Sequence, residues 1–416
     1  MGVRRESGDP GVRTDGGRVV SVEWFDLAQR LYAAETGRPV ARLAHTTFIA
    51  SASASALAVR ASARGGSVRV SAAAFGGREE TACDEAGLAL LARLGGTLAA
   101  DAPATLLTDD GGMIPALVGL ARAHAHHSDP NISGSAAMVG WWADRADHPG
   151  TSAVVNLPAA SSSRYVLGVV PEAQRSARVW RTWFQITDES VAGMHEWARA
   201  VGSGPLLPLL AAIGEDDAYS FSRAQSALVD GHDWSRPDNA ASAAMGLRSR
   251  CDAADVMSSA LLDDPVWRER ALHTGHVAVG VASMTPPPKG SRRRGGSLSV
   301  TCERLDSRLR VGSAVTGWVG TPRRRPFEQF TVEVTSTEVV GGKLVLGLGS
   351  VGMYAPPSGA SVVLMPQAAS PHTMRAGRGR YWRLYRGRRS WLSTGQTPVP
   401  SRREVPLDVL IAGAEE

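Results

Sequence analysis

The chain contains little lysine and few cysteines. Only Lys289 and Lys343 are lysines among its 45 basic residues, so arginine carries almost all of the positive charge. The three cysteines, Cys83, Cys251 and Cys302, are far apart in the sequence and form no CxxC pair. This spacing excludes a disulfide framework and a cysteine zinc site, and it fits a reducing compartment. Abundant Ala and Gly beside so much Arg indicate a GC-rich genome, so the number of arginines alone says little about function.

Long apolar segments are also missing. No run reaches the roughly 18–20 residues that span a membrane. Residues 1–18 are charged and Gly-rich and lack the apolar segment of a signal peptide. We therefore expect a disordered lead at 1–18, a cytoplasmic protein and no membrane partner. With 43% hydrophobic residues over 416 positions, the chain can bury sizeable cores in two or three domains of roughly 100–200 residues each.

Acidic residues are scarce in the C-terminal part. From Lys289 to Arg403 the chain has 20 basic and 5 acidic residues, a balance of +15. The residues after Arg403 add four acids and no base, and because the whole chain carries +5, residues 1–288 must carry −6. An acidic body joined to a basic C-terminal module predicts that this module meets a polyanion.

The first part of the chain has the pattern of an α/β domain. Helical spacing of apolar residues predicts a leading helix, and short alternating runs predict strands. Gly65-Gly66 is a hairpin turn signal between two of these runs. The predicted order after the leading helix is β-β-β-α-β-α-β. The predicted elements are a helix at 19–36, strands at 45–54, 56–63 and 67–75, a helix at 84–99, a strand at 104–108, a helix at 113–127 and a fifth strand at 137–144.

The remaining pattern changes twice. It is mainly helical to about residue 280, then TPPPKGSRRRGGS has the composition of a linker, and short strands with Gly-rich turns follow. Such strands predict a small β-barrel of the OB or SH3-like kind. The GxGxxG match at 347–352 lies in this strand-rich region, so we interpret it as a barrel strand and turn. The predicted division is a 19–163 α/β domain, a 164–284 mainly helical region, a 285–297 linker, a 298–370 β-barrel and a 371–416 Arg/aromatic tail.

Two motifs in the first domain match a known family. In ETACDEAGLALLARLGGTLAADAPATLLTDDGGMIPAL, Glu85 stands near the start of a predicted helix and Thr108-Asp109-Asp110 ends a predicted strand. The second motif is WWADRADHP at 141–149, which has a Trp followed by His-Pro. In this order and spacing, residues 45–163 resemble type 1 ribonuclease H, over about 120 of the 416 residues. The resemblance implies a ribonuclease-H-like α/β fold.

The resemblance also implies a chemistry. The family hydrolyses the RNA strand of an RNA–DNA hybrid with two Mg²⁺ ions roughly 3.5–4 Å apart, which clamp the attacking and leaving oxygens. Mg²⁺ requires hard oxygen ligands, so several carboxylates must converge. Carried over to this chain, the metal ligands would be Glu85 and Asp109, and the catalytic acids would be Glu85, Asp109 and Asp110.

Several family positions differ here. The first-strand acid aligns with Ser51, the last acid with Val155 or Asn156, and the loop His with Arg145. A neutral Ser or Asn cannot supply the charge that holds two divalent ions. We therefore expect a degenerate domain with no cofactor, which could still read a hybrid through 2′-hydroxyls and phosphates or serve as a scaffold.

The sharpest binding signal is RAGRGRYWRLYRGRRSW at 375–391. Seven arginines alternate with aromatic residues there, and guanidinium groups suit phosphate while aromatic faces stack on bases. A solvated basic tail is the simpler alternative. Arg292–Arg294 and Arg323–Arg325 would reinforce binding if they share its face. The predicted nucleic-acid-binding residues are Arg378, Arg380, Tyr381, Trp382, Arg383, Tyr385, Arg386, Arg388 and Arg389.

Histidines form one further cluster. His124, His126 and His127 with Asp129 would suit a metal, but they stand at the C-terminal end of a predicted helix, where a partly charged His is favourable. We therefore predict a solvated helix end.

Three hypotheses follow from the sequence. In the first, a degenerate ribonuclease-H-like domain and a basic barrel bind DNA, RNA or a hybrid, in replication or maintenance of a mobile element. The second is a working Mg²⁺-dependent hybrid nuclease with a rearranged site at Glu85, Asp109 and Asp110. The third is a scaffold or interaction protein that touches no nucleic acid.

Overall fold

The protein is described by a computed structural model that combines an α/β unit, a helical region and a closed β-barrel. No helix in the described part of the chain is both long and apolar enough to cross a membrane. The described residues are 21–42, 55–202, 210–238, 240–285, 296–351, 354–370 and 372–379.

The α/β unit is built on a five-stranded sheet. A separate two-stranded ladder, β1 with β7, joins the leading helix to the unit. In chain order its elements are α1 (Ser21–Thr36), β1 (Val40–Ala41), β2 (Leu57–Arg64), β3 (Ser67–Ala74), β4 (Glu80–Cys83), α2 (Asp84–Arg93), β5 (Leu106–Thr108), α3 (Ile114–Ala123), α4 (Pro130–Ala146), β6 (Val154–Asn156), α5 (Leu157–Arg164), β7 (Tyr165–Val166), α6 (Ala177–Trp183) and α7 (Gly193–Gly202).

The sheet has the strand order β4-β3-β2-β5-β6. Strands β2, β3 and β4 are antiparallel neighbours, whereas β2, β5 and β6 run parallel. The hairpin turn predicted at Gly65-Gly66 is confirmed, with φ of +61° and +85°. Positive φ at both central residues matches the right-handed twist of the flanking strands and favours glycine. The unit is therefore a three-strand antiparallel system extended by two parallel strands.

Helices cover both faces of this sheet. Alternation along β2 sends Leu57 and Val59 to one face, where α2, α3 and α4 pack, and Ala58 to the other. On that second face Trp180 of α6 and Trp197 of α7 are fully buried. The result is a three-layer α/β/α unit. Residues 164–202, predicted to open a separate helical region, thus belong to the α/β unit.

The prediction of a fifth strand at 137–144 is wrong. This segment lies in α4, which begins after Asp129 accepts a hydrogen bond from Asn131 N at 2.8 Å. Ten of the 17 residues of α4 are buried, and an apolar run of this kind does not distinguish a strand from a buried helix. The Asp-Pro pair at 129–130 is the helix start signal that should have decided between them. The fifth strand of the sheet is β6.

Two of the three strand runs predicted before the first sheet helix are confirmed, at 56–63 and 67–75. The run at 45–54 lies outside the described residues, and the run at 56–63 forms β2, the first strand of the sheet. The third antiparallel strand is β4, which was not predicted. As a result Ser51, the residue aligned with the family's first-strand acid, is not on the described sheet.

Three helices connect the α/β unit to the barrel. They are α8 (Leu210–Val229), α9 (Ala240–Leu261) and α10 (Pro265–His273). Helix α8 packs on α4, where Phe221 meets Trp141 edge to face at 5.3 Å. Around α10, Leu262 and Ala271 share a buried cluster with Trp318 of the barrel.

The C-terminal barrel has six strands and is closed, so the predicted barrel is confirmed in its coarse form. Its strand number differs from the five strands of an OB fold. All neighbours are antiparallel in the order β10-β11-β12-β9-β8-β13. Its strands are β8 (Ala278–Thr285), β9 (Ser297–Cys302), β10 (Ala314–Val319), β11 (Phe330–Val340), β12 (Lys343–Ser350) and β13 (Ser361–Pro366).

The barrel begins earlier than predicted. Strand β8 precedes the 285–297 segment and pairs with β9 after it, with Val281 opposite Thr301. A segment interpreted as a linker between domains therefore connects two paired strands. Gly347 to Ser350 lie in β12, so the described part of the GxGxxG match is a barrel strand, as predicted.

Candidate functional site

Polar side chains collect where the parallel strands of the α/β unit end. Asp109 follows β5, and Asn156 ends β6 opposite Thr108. On the other side of β5, Ala58 of β2 lies opposite Leu107. Continuing that parallel register by two residues places Arg60 beside Asp109. The carboxyl ends of parallel strands are where ligand sites of open α/β sheets form, so this edge is the candidate site.

Asp109 is held by two arginines at this edge. Arg60 binds it in a bidentate manner, with Nη2 at 2.6 Å from Oδ2 and Nε at 3.0 Å from Oδ1. Arg181 adds a third contact, with Nη2 at 3.2 Å from Oδ2. The Asp109 side chain is only 8% exposed. Both carboxylate oxygens are therefore occupied by guanidinium groups. The hydrogen bond to Asp109 raises the pKa of Arg60 above its ordinary value.

The segment 188–190 fixes both guanidinium groups. Arg60 Nη2 donates to Glu189 O at 3.1 Å, and Arg181 donates to the carbonyl oxygens of Asp188 and Ser190. The Arg181 guanidinium also lies over the Trp197 ring, 5.4 Å from its centroid. The arginines are thus positioned by carbonyls and a buried aromatic ring as well as by the acid between them.

The remaining polar groups at the strand ends act as caps. Asp110 Oδ1 accepts from Gly112 N at 2.8 Å, and Asn156 Oδ1 accepts from Ala159 N at 3.0 Å at the start of α5. A Cβ at Gly111 would lie 2.5 Å from Asn156 Nδ2, so a larger residue there would displace the Asn156 amide. Val155 is buried in the core, which leaves Asn156 as the residue at the edge.

Glu85 makes contacts of a different kind. At the start of α2 its Oε1 lies 3.5 Å from His127 Nε2, and its side chain is 55% exposed. The neighbouring Asp84 accepts from Val68 N and Ser67 Oγ, both at 2.7 Å, and these bonds lower the pKa of Asp84. The described contacts of Glu85 and Asp109 therefore share no partner.

The histidine cluster lies at a helix end, as predicted. Helix α3 ends at Ala123, and the His124 ring contacts Leu120 O at 3.0 Å through Nδ1. His126 Nε2 lies 3.3 Å from Asp233 Oδ2, and His127 Nδ1 accepts from Asp129 N at 3.0 Å.

These residues do not fit a two-metal centre. Two Mg²⁺ ions need several free carboxylate oxygens, but those of Asp109 are bound by guanidinium groups, and Asp110 caps a turn. Nowhere in the described part of the chain do three or more His, Cys, Asp or Glu side chains form a group that could hold a metal ion. The arrangement can hold a carboxylate between two cations, but it offers no acidic pocket.

The second family-like motif also takes another role. Arg145, the residue aligned with the loop His, is buried in α4, and its Nε donates to Asp217 Oδ1 at 2.6 Å. Asp217 is further bound by Thr151 Oγ1 at 3.0 Å and Ser152 N at 2.9 Å. His148 is buried against α9, with Nε2 at 3.3 Å from Ser249 Oγ. The motif therefore packs α4 against α8 and α9 rather than forming a mobile loop.

The predicted nucleic-acid-binding tail is only partly described. Arg378, in a helical segment at 372–379, donates to Ser249 Oγ at 2.6 Å and to Asp216 Oδ1 at 2.9 Å, and its side chain is 19% exposed. Arg378 thus anchors the segment on α8 and α9 instead of facing solvent. Arg292–Arg294 are outside the described residues, as are the other tail residues, Arg380, Tyr381, Trp382, Arg383, Tyr385, Arg386, Arg388 and Arg389.

Sequence reasoning found Asp109 and Asn156 at this edge but missed Arg60 and Arg181. Arg60 lies in the predicted strand at 56–63, two residues after the buried Ala58, and this position could have placed it at the edge. No local pattern connects Arg181 to Asp109, because the two residues lie 72 positions apart in sequence. Comparison of the chain with family models, with curated proteins and with solved structures found no match in any of the three.

Proposed function

We propose that this protein binds nucleic acid, and that its α/β unit is a ribonuclease-H-like domain that no longer cuts. The strand order supports the fold assignment. In type 1 ribonuclease H a three-strand hairpin system is followed by a helix, then a fourth strand and later a fifth strand. Here β2, β3 and β4 are followed by α2, β5, α3, α4 and β6 in that order.

The observation that carries the loss of cutting is the pair of guanidinium groups on Asp109. With β2 as the first strand, Arg60 stands beside the fourth-strand acid, where the family places its own first-strand acid. A cation there replaces an anion, and Arg181 adds a second cation from the other side. Two positive groups at hydrogen-bonding distance from the carboxylate oppose divalent ions by direct charge repulsion.

Nucleic-acid binding is supported by the charge of the C-terminal half. Arg308, Arg310, Arg323 and Arg324 of the barrel are exposed, and none forms an ion pair with a described residue. By contrast, the arginines of the α/β site are paired with Asp109. Unpaired surface arginines release counterions when they meet phosphates, which gives affinity that depends on salt.

A salt series tests the binding. Fluorescence anisotropy with labelled single strands, duplex DNA and RNA–DNA hybrid would be recorded from 50 to 200 mM NaCl. If four phosphates of a single strand are neutralised, affinity should fall about 50-fold over this range. A response that does not change with salt would refute phosphate-driven binding.

A cleavage assay tests the second half of the proposal. The protein should leave an RNA–DNA hybrid intact in Mg²⁺ and in Mn²⁺. Cleavage that is lost in both Glu85→Gln and Asp109→Asn would instead establish the rearranged nuclease.

A further inference from the structure

The loop between β10 and β11 presents an aromatic ring and two arginines to solvent. Phe327 is 92% exposed, more than any other large apolar side chain that the structure describes. Arg323 and Arg324 are exposed in the same loop and form no ion pair with a described residue. Glu328 is the single acid of residues 320–329. An exposed ring in the same loop as two exposed arginines with no described acidic partner offers both a face for stacking on a base and charge for phosphates.

The first half of this loop is held by a buried arginine. Arg268 of α10 is 4% exposed, and it donates to Pro322 O at 2.7 Å and to Arg323 O at 3.3 Å. Trp318, fully buried beneath the loop, donates from Nε1 to Thr321 O at 3.1 Å. These bonds satisfy three successive carbonyls, so the backbone that carries Arg323 and Arg324 is fixed.

The second half is held by the turn between α9 and α10 and by contacts within the loop. Arg325 Nη1 binds Asp263 Oδ1 at 2.7 Å, and Arg325 Nε donates to Gln329 Oε1 at 2.8 Å. Gln329 in turn donates to Pro326 O at 2.6 Å. Arg325 therefore helps to build the loop, whereas Arg323 and Arg324 form no ion pair within the described part of the chain. A loop ordered before binding loses less conformational entropy when it binds.

A second exposed aromatic lies at the same end of the barrel. The end of β10 lies beside the start of β13, with Val319 opposite Val362, and the end of β12 lies beside the start of β9. Tyr354, which is 39% exposed, lies between the end of β12 and the start of β13. Because the β10–β11 loop begins beside that same start of β13, the loop and Tyr354 share one end of the barrel.

We propose that this loop is a contact site for single-stranded nucleic acid, with Phe327 stacking on an unpaired base while Arg323 and Arg324 bind the adjoining phosphates. The inference rests on the proposed function and adds the form of nucleic acid to it. A duplex keeps its base faces stacked inside, whereas a single strand offers them to aromatic side chains.

The test uses the full chain and a labelled 12-nucleotide oligothymidine, with a blunt duplex of equal length for comparison. Phe327→Ala should weaken binding of the single strand about tenfold, whereas Phe327→Tyr should retain it and Phe327→Leu should not, because only an aromatic ring stacks. Val339→Ala, at the opposite end of the barrel and also exposed, is the matched control and should have no effect.

Charge is tested separately. The double variant Arg323→Ala and Arg324→Ala should reduce the slope of log affinity against log salt by about 1.4, or 0.7 for each phosphate contact. The matched double variant is Arg304→Ala and Lys343→Ala, whose charges are already paired with Asp306 and Glu303 and whose loss should change the slope less.

The outcomes separate the two proposals. If the native protein binds no nucleic acid at any salt, the proposed function fails, and this inference fails with it. If it binds but the loop variants match their controls, the inference alone fails. Binding to vesicles of anionic phospholipid that is lost in Phe327→Ala, with unchanged affinity for the oligonucleotide, would also overturn it by assigning the loop to a lipid surface.

Discussion

The strand-end site of the α/β unit and the β10–β11 loop of the barrel use arginine in opposite ways. At the strand ends, Arg60 and Arg181 are both bound to the nearly buried Asp109 carboxylate, so their guanidinium groups are engaged within the protein. In the barrel loop, buried Arg268 binds backbone carbonyls, and Arg323 and Arg324 are exposed and form no ion pair with any residue that the structure describes. The two regions have the same residue type but different partners, and the partner decides whether an arginine stabilises the fold or is available to a ligand.

This difference explains why counting arginines was a poor guide. The chain is rich in arginine throughout, yet in the α/β unit several guanidinium groups are buried against acids and carbonyls. A buried, paired arginine cannot release counterions from a nucleic acid. The proposed binding therefore depends on the arginines that have no acidic partner among the described residues.

The largest expected effect comes from breaking a buried pair. Arg145→Ala should lower the free energy of unfolding by about 3–5 kcal/mol, because it leaves the buried Asp217 carboxylate without its cation. Urea denaturation followed by tryptophan fluorescence measures the change. The double variant with Asp217→Ala should recover part of the loss, since no uncompensated charge then remains. A loss below 1 kcal/mol would show that this arginine is not structural.

Asp109→Asn should have the next largest effect. It leaves Arg60 and Arg181 without their carboxylate, and the expected loss is about 1.5–3 kcal/mol, the range of hydrogen bonds to charged groups. Asp101→Asn, at an exposed position, is the control and should stay within about 0.5 kcal/mol of the native protein. A gain in stability would contradict this account, because it would show that the negative charge of Asp109 destabilises the folded protein.

A smaller effect should depend on pH. Burial lowers the pKa of His195, which is held by Ala73 O at 3.0 Å, so the folded state keeps it neutral while the unfolded state binds a proton. The stability is complete above the ordinary pKa near 6.5 and should fall below it, by at most about 1.4 kcal/mol per pH unit for this group. Urea denaturation at pH 7.5, 6.5 and 5.5 measures the slope. His195→Gln, which keeps a donor, should reduce this slope by the contribution of one histidine, while His148 and His276, whose pKa values burial also lowers, keep the rest. Equal slopes in the variant and the native protein would contradict this account.

The smallest effect is expected at an exposed pair. Arg93 binds Glu80 on the surface, and both side chains are about half exposed. Arg93→Ala should therefore change the unfolding midpoint in urea very little. A loss as large as that of Arg145→Ala would remove the distinction between buried and exposed arginines on which the comparison depends.

Much of the architecture was predictable from local pattern. Gly65-Gly66 marked the hairpin because its geometry requires positive φ, and the short alternating runs after residue 297 marked the barrel. The helix at 137–144 was mistaken for a strand because buried apolar runs lack a diagnostic period.

The site was less predictable than the fold. Asp109 was found because it follows a predicted strand. The first-strand position was assigned to the run at 45–54, which lies outside the described residues, whereas the described strand next to Asp109 comes from the run at 56–63. Only tertiary pairing shows that Arg60 lies beside Asp109. Arg181 reaches the same carboxylate from a helix on the far layer of the unit, which no local pattern reveals.

The most direct test of the central claim is a calorimetric titration of the full chain with Mg²⁺ and with Mn²⁺ at constant ionic strength. Because guanidinium groups occupy the Asp109 carboxylate, we expect no saturable binding of either ion at the strand ends. Saturable binding that disappears in both Asp109→Asn and Glu85→Gln would contradict this account and would show that the site still holds metal.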